Sequence, residues 1–191
     1  ESTVLGPFYV EDAPARDKGD SIILRDVGAR PTLVTGRVTD ADGRPLPGAV
    51  LDVWQTSANG LYDIQDGAAP EWNLRGRFTA DADGSYAFVT ETPVSYSIPD
   101  DGPVGELLRA SGRHTMRPAH VHFRVSAEGH VPLTTHVFVD GDEYLDSDAV
   151  FATKSSLVAA FRECEDEALA AQHGLPVPFT HMQYDFGLVT A

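Results

Sequence analysis

The chain has 191 residues, 42% of them hydrophobic, and 29 acidic residues against 14 basic ones give a formal charge of −15. So acidic a chain is unsuited to nucleic acid, whose phosphates require a cationic face, and to anionic membrane surfaces. Cys164 is the only cysteine, which excludes an internal disulfide and a multi-cysteine zinc site and points to a reducing, cytoplasmic setting. No apolar run approaches the roughly 18 residues of a membrane span. No secretory leader is visible, although the chain opens at Glu1 rather than Met.

In chain order, Ser2 to Val10 is apolar and aromatic, and Gly6-Pro7 makes it a bent, extended segment that must dock on something. Residues 11–30 are polar and read as a surface loop. Thr32 to Thr39 and Ala49 to Gln55 read as the two strands of a hairpin around Asp40-Ala41-Asp42-Gly43, with Gly43 supplying a positive φ. Phe78 to Ala80 and Tyr86 to Val89 read as a second hairpin around Asp81-Ala82-Asp83-Gly84. Neither turn has the remaining oxygen ligands of a calcium loop.

The connection 56–77 between these units is long enough to suggest a functional loop. A second irregular stretch runs from Thr90 to Arg117 and holds a short helix over Val104 to Ala110, begun by Gly102-Pro103. Leu133 to Asp140 is a strand, followed by an acidic loop from Gly141 to Asp148. Ser156 to Phe161 reads as extended, Glu163 to Gln172 as a helix stopped by Gly174 and Pro176, and Gln183 to Val189 as a last strand. Many short strands with Gly/Pro turns and little helix predict a mostly β protein, an antiparallel β-sandwich with long loops, in one domain over 1–191.

Arg117-Pro118-Ala119-His120-Val121-His122-Phe123 carries the chemistry. Val121 and Phe123 are strand-formers alternating with the two histidines, so His120 and His122 project from one face. Two such imidazoles can chelate one transition metal, or they can be ordinary strand histidines; spacing supplies no further ligands. Nucleophilic catalysis has little support. No Gly-x-Ser-x-Gly occurs, and acidic neighbours of Cys164 disfavour its thiolate.

Four separated stretches fall in one order: Gly60-Leu61-Tyr62-Asp63, Asn73-Leu74-Arg75-Gly76-Arg77, Tyr96-Ser97-Ile98-Pro99-Asp100-Asp101-Gly102-Pro103, and the His-x-His segment. Together the chain resembles the intradiol ring-cleavage dioxygenases, over roughly Val4 to Val189. Thr134-Thr135-His136-Val137-Phe138-Val139 and Tyr144 to Phe151 resemble the hydroxyquinol-cleaving branch. The resemblance implies one iron(III) per chain held by Tyr62, Tyr96, His120 and His122, with Tyr96 accepting a substrate proton and Arg117 stabilising charge on the ring. It implies a pocket walled by Val4, Leu5, Gly6, Pro7, Phe8, Ile98, Pro99 and Val150, with His136 as the mark of a hydroxyquinol substrate. The substrates would be a small aromatic diol or triol and O₂, both oxygen atoms entering the product. That family carries an N-terminal helical region that forms its dimer interface. This chain lacks it, which leaves homodimerisation an open expectation. Two other readings predict different chemistry: a non-catalytic β-sandwich binding module, and a cupin-like Fe²⁺ or Mn²⁺ site recruiting Glu128 and His136.

Overall fold

A computed structural model describes residues 1–191. Two five-stranded sheets pack face to face. The first contains β1 (Pro31–Asp40), β4 (Ser85–Glu91), β10 (Arg162–Cys164), β11 (Phe179–Gln183) and β12 (Phe186–Leu188). The second runs in the order β3 (Arg75–Thr79), β2 (Val50–Trp54), β7 (His120–Ser126), β8 (Leu133–Val139) and β9 (Val158–Ala159). A ribbon of β5 (Tyr96–Ser97) and β6 (Met116–Arg117) stands apart, and the helices are α1 (Pro103–Ala110) and α2 (Glu167–Gln172). No helix is long and apolar enough to cross a membrane.

The period-2 pattern of each strand sets what lies between the sheets. Val34, Val38, Tyr86, Phe88, Met182 and Phe186 come from the first sheet. Leu51, Val53, Phe78, Val121, Phe123, Val125 and Val137 come from the second, in one buried cluster. α2 covers the outer face of the first sheet, where Ala170 packs with Leu33, Val89 and Phe179. Asp166 caps it, its carboxylate accepting from the Leu169 amide at 2.9 Å.

Several expectations are corrected. Neither Asp-Ala-Asp-Gly turn pairs the two strands that flank it; at the first, antiparallel pairing stops at the single bridge Thr39–Pro45. β1 pairs with β4 and β2 pairs with β3, so both turns carry the chain across from one sheet to the other. The local turn chemistry is as read: Gly43 has φ +81° and Gly84 φ +76°. A turn sets the reversal of the chain but not the partner. Here consecutive strands gain more by facing one another across the core than by lying side by side. The sheets are also mixed, because β1 runs parallel to β11 and β12, and β8 runs parallel to β9.

Residues 11–30 are not all surface. Ile22 is fully buried in the central cluster, its amide donating to Val89 O at 2.9 Å and its carbonyl accepting from the Leu74 amide. The stretch 156–164 forms a 3₁₀ turn at Ser155–Leu157, then β9 and β10, so α2 is shorter than its composition suggests. The expected last strand over Gln183 to Val189 is shortened to β12, and β11 before it is a strand that the sequence reading did not include. Tyr184 bulges toward β1, and its amide donates to Thr35 O at 3.0 Å while Asp185 accepts from the Arg37 amide at 2.8 Å.

Candidate metal centre

The alternation that buries Val121 and Phe123 turns His120 and His122 to the outer face of the second sheet. The strand register places Trp54, His122 and His136 directly across from one another on β2, β7 and β8, with His120 opposite Phe138. Loops roof this row. The connection 56–74 brings Tyr62, the ribbon β5–β6 brings Tyr96 and Arg117, and the N-terminal segment crosses above them. Thr3 ties that segment to β8, its amide donating to Thr134 O at 2.9 Å and its hydroxyl bonding His136 Nδ1. Arg75 Nη1 donates to Phe8 O at 2.7 Å, and the Phe8 ring stacks on Tyr62 with centroids 4.6 Å apart.

Four buried donor atoms converge beneath this roof. Tyr62 Oη lies 2.8 Å from His122 Nε2 and 3.2 Å from Tyr96 Oη, and His120 Nε2 lies 3.2 Å from His122 Nε2. Adjacent ligands of a cation with bonds of about 2.1 Å stand about 3 Å apart, so the spacing suits a shared ion. The nitrogens of His120, His122 and His136 also lie within 4.8 Å of one another, a grouping that can hold a metal.

The protonation states fit a cation as well. His120 Nδ1 donates to Pro118 O at 2.6 Å, and Arg117 Nη1 donates to His120 Nε2 at 3.2 Å, which leaves Nε2 the unprotonated nitrogen. Burial drives His120 and His122 well below the ordinary imidazole range, with Arg117 and neighbouring imidazoles adding to it, so both are neutral and ligand-competent. Burial, with Tyr96 beside it, pushes the Tyr62 phenol well above 10. A phenolate forms at neutral pH in such a place only against a strong local positive charge. His136 is held down to about 3 by burial and then by Arg117, and its Nε2 is buried without a partner.

Arg117 is 4% exposed and fixed by Asp148, from Nε to Oδ1 at 3.1 Å. Asp148 also accepts from the amides of Val150 and Ala152. Of the residues expected to wall a pocket, Gly6 lies against His122, where a Cβ would come 3.6 Å from Cε1. Phe8 and Ile98 pack against Trp54, Tyr62 and Tyr96. Val150 packs with Phe138 and Leu157, whereas Val4, Leu5, Pro7 and Pro99 are exposed. Glu128 does not join the histidine cluster.

Reading the sequence alone passed over Trp54, Thr3, Asp63, Arg75 and Asp148. Trp54 had a signal: in phase with Asp52 and out of phase with Leu51 and Val53, it is a large aromatic on the polar face of its strand. Asp63, Arg75 and Asp148 lie in the stretches that carry the resemblance but received no role there, because they, like Thr3, act through contacts between segments far apart in the chain.

A β-sandwich with a buried, metal-competent cluster of histidines and tyrosines on the outer face of one sheet is the class that fold and site define. The chain belongs to the Dioxygenase_C family of dioxygenases, whose family model matches residues 4–190. It is 51% identical over 190 residues, 98% of its length, to the hydroxyquinol 1,2-dioxygenase of Rhizobium sp. (strain MTP-10005). Its fold is similar to that of hydroxyquinol 1,2-dioxygenase from Pseudomonas putida DLL-E4, with TM-score 0.91 and 48% identity over 100% of this chain. It is also similar to catechol 1,2-dioxygenase from Acinetobacter sp. ADP1, with TM-score 0.93 and 35% identity over 99% of this chain. The matches span 64%, 66% and 62% of those three proteins respectively, so this chain covers less than two thirds of each.

Proposed function

We propose that residues 1–191 form the catalytic domain of an intradiol dioxygenase that opens hydroxyquinol (benzene-1,2,4-triol) between its adjacent hydroxyls. Both atoms of O₂ enter the product, 3-hydroxy-cis,cis-muconate, which tautomerises to maleylacetate. The observation that carries this reading is the convergence of Tyr62 Oη, Tyr96 Oη, His120 Nε2 and His122 Nε2 in one buried place. Two phenolates and two neutral imidazoles suit iron(III), a hard cation that prefers anionic oxygen. Tyr62, Tyr96, His120 and His122 would hold iron(III), which would supply a Lewis acid able to draw electron density from a bound diol and make its ring reactive toward O₂.

The chain's own residues bind, orient and handle protons. Tyr96 Oη takes a proton from one diol hydroxyl. Arg117, its guanidinium held by Asp148, meets negative charge building on the ring. Gly6, Phe8 and Ile98 wall the place of the ring and exclude water, and Val4, Leu5, Pro7, Pro99 and Val150 complete the rim. The unpartnered Nε2 of His136 accepts from or donates to the third hydroxyl of the substrate, which favours hydroxyquinol over catechol.

The test is a visible spectrum of the iron-loaded protein with and without anaerobic hydroxyquinol, followed by turnover under ¹⁸O₂. A broad tyrosinate band that shifts with substrate, and two labelled oxygens in the product, are expected. A colourless protein after iron loading, or a single labelled oxygen, would overturn the reading. Faster turnover of catechol would move the substrate assignment to that diol.

A further inference from the structure

His120 and His122 stand on one face of β7 but are held in different ways. His120 has the hydrogen bond that ordinarily orients a ligating imidazole, from Nδ1 to the Pro118 carbonyl. His122 has none. Its Nε2 pairs with Tyr62 Oη at 2.8 Å, on the side that would face a cation, and its Nδ1 is buried with no partner. On the Nδ1 side, therefore, nothing polar fixes the plane of this ring.

Packing does so instead. The Trp54 indole lies parallel to the His122 ring, with centroids 4.6 Å apart and an interplanar angle of 16°. His136 closes on it with centroids 4.1 Å apart, tilted by 55°, and Gly6 backs Cε1. Trp54 is itself 2% exposed, is set opposite His122 by the strand register, and is backed by Tyr9 at 4.9 Å. Its Nε1 has no hydrogen-bond partner. An indole buried without its usual polar contact gives up a bond that such a side chain ordinarily makes. What Trp54 does have is a broad aromatic face laid on one imidazole.

We propose that Trp54 is the positioning residue of His122, its indole face holding the imidazole plane in place of the missing hydrogen bond; this rests on the metal reading of the site. The stack strengthens as the imidazole gains positive character from a cation, because the indole face attracts positive charge. Trp54 thus aligns Nε2 before a metal arrives and favours the metal-bound state afterwards, without touching metal or substrate.

The test uses the metal-free protein of residues 1–191, titrated with iron(III) in competition with citrate. Trp54→Leu removes the aromatic face and keeps an apolar filler; Trp54→Phe keeps a smaller face. The expected result is a loss of iron affinity of about 10–100-fold in the Leu variant, the range for removing a group that orients a ligand, and a smaller loss in the Phe variant. Circular dichroism of each variant reports whether the fold is kept. Wild-type affinity in a folded Trp54→Leu protein would overturn the proposal.

If that variant does not fold, the carbon-bound ring protons of His122 in metal-free wild type decide. Ring current from a stacked indole moves them upfield of those of His120, and the same shifts for both residues would overturn the proposal. If wild type takes up no iron, the metal reading fails, and the ring-proton measurement still tests the role of Trp54.

Discussion

Arg75 and Asp63 form a buried ion pair, Nε to Oδ1 at 2.7 Å and Nη2 to Oδ1 at 2.6 Å, with side chains 2% and 4% exposed. Asp63 follows Tyr62 in the chain, and the remaining Arg75 nitrogen holds the Phe8 carbonyl. One guanidinium therefore joins β3, the loop carrying Tyr62 and the N-terminal segment. Removing either partner strands a buried charge, which costs about 3–5 kcal/mol. Arg75→Met and Asp63→Ala should each lower the unfolding free energy, measured by urea titration, by that much. The double variant should lose less than the sum. Protease should also cut within residues 1–10 of Arg75→Met faster than in wild type.

Arg117 is bound on both sides, by Asp148 and by His120 Nε2, yet it is not among the side chains suited to ligate a cation. Arg117→Gln should keep iron and its tyrosinate band while ring opening slows by about 10²–10³-fold, the size of effect seen when one electrostatic stabiliser is removed. Loss of colour together with activity would place Arg117 in holding the metal site rather than in the reaction.

Acid should unfold the metal-free protein sooner than its many surface carboxylates would suggest. His136 has a folded value of about 3 against an ordinary 6.5, and burial moves His120 and His122 the same way. Below pH 6.5 the unfolded chain takes up protons that the folded one refuses, so stability rises with pH in this window. The stability contributed by a neutral His136 is complete above pH 6.5 and is lost as pH falls toward 3, at about 1.4 kcal/mol per pH unit. Urea midpoints at pH 7 and pH 5 measure it. His136→Gln should flatten the dependence, whereas bound iron should steepen it, because a metal held by neutral imidazoles and phenolates keeps protons off the folded state that the unfolded chain still takes up.

Gly36 sits where β12 takes over from β11 along the edge of β1. A Cβ there would lie 1.8 Å from the Tyr184 carbonyl oxygen, which also accepts from Tyr86 Oη at 2.6 Å. The obstacle is backbone, so it cannot rotate away. Gly36→Ala should destabilise by about 3 kcal/mol or prevent folding, whereas Gly43→Ala, with open space at the Cβ, should cost only about 1 kcal/mol for its positive φ. Thermal melts of the two variants give the comparison.

The strands were legible because Val121, Phe123, Leu51 and Val53 alternate with polar neighbours, and α1 because Gly102-Pro103 opens it. His120 and His122 followed from the same alternation. Tyr62 and Tyr96 did not: one sits on a loop and the other on the two-residue strand β5, both placed by contacts with distant segments, and only the motifs around them marked them out. Strand pairing was misread at both Asp-Ala-Asp-Gly turns because a four-residue turn carries no information about which sheet receives the next strand. Ile22 was taken for surface because residues 11–30 are mostly polar, although Ile22-Ile23-Leu24 within them is apolar, and its backbone is held by hydrogen bonds to Val89 and Leu74, far along the chain.

One edge of β1 is completed only by β11 and β12, residues 179–183 and 186–188. During synthesis the N-terminal two thirds of the sandwich therefore leaves the ribosome with a ten-residue strand bare along that side. An open edge of this kind invites pairing with another nascent chain until the last segment arrives. The residues that guard against such pairing lie more than 140 positions downstream of the strand they protect, so a chain that lacks residues 179–188 would keep Tyr62, Tyr96, His120 and His122 and have self-association as its main hazard.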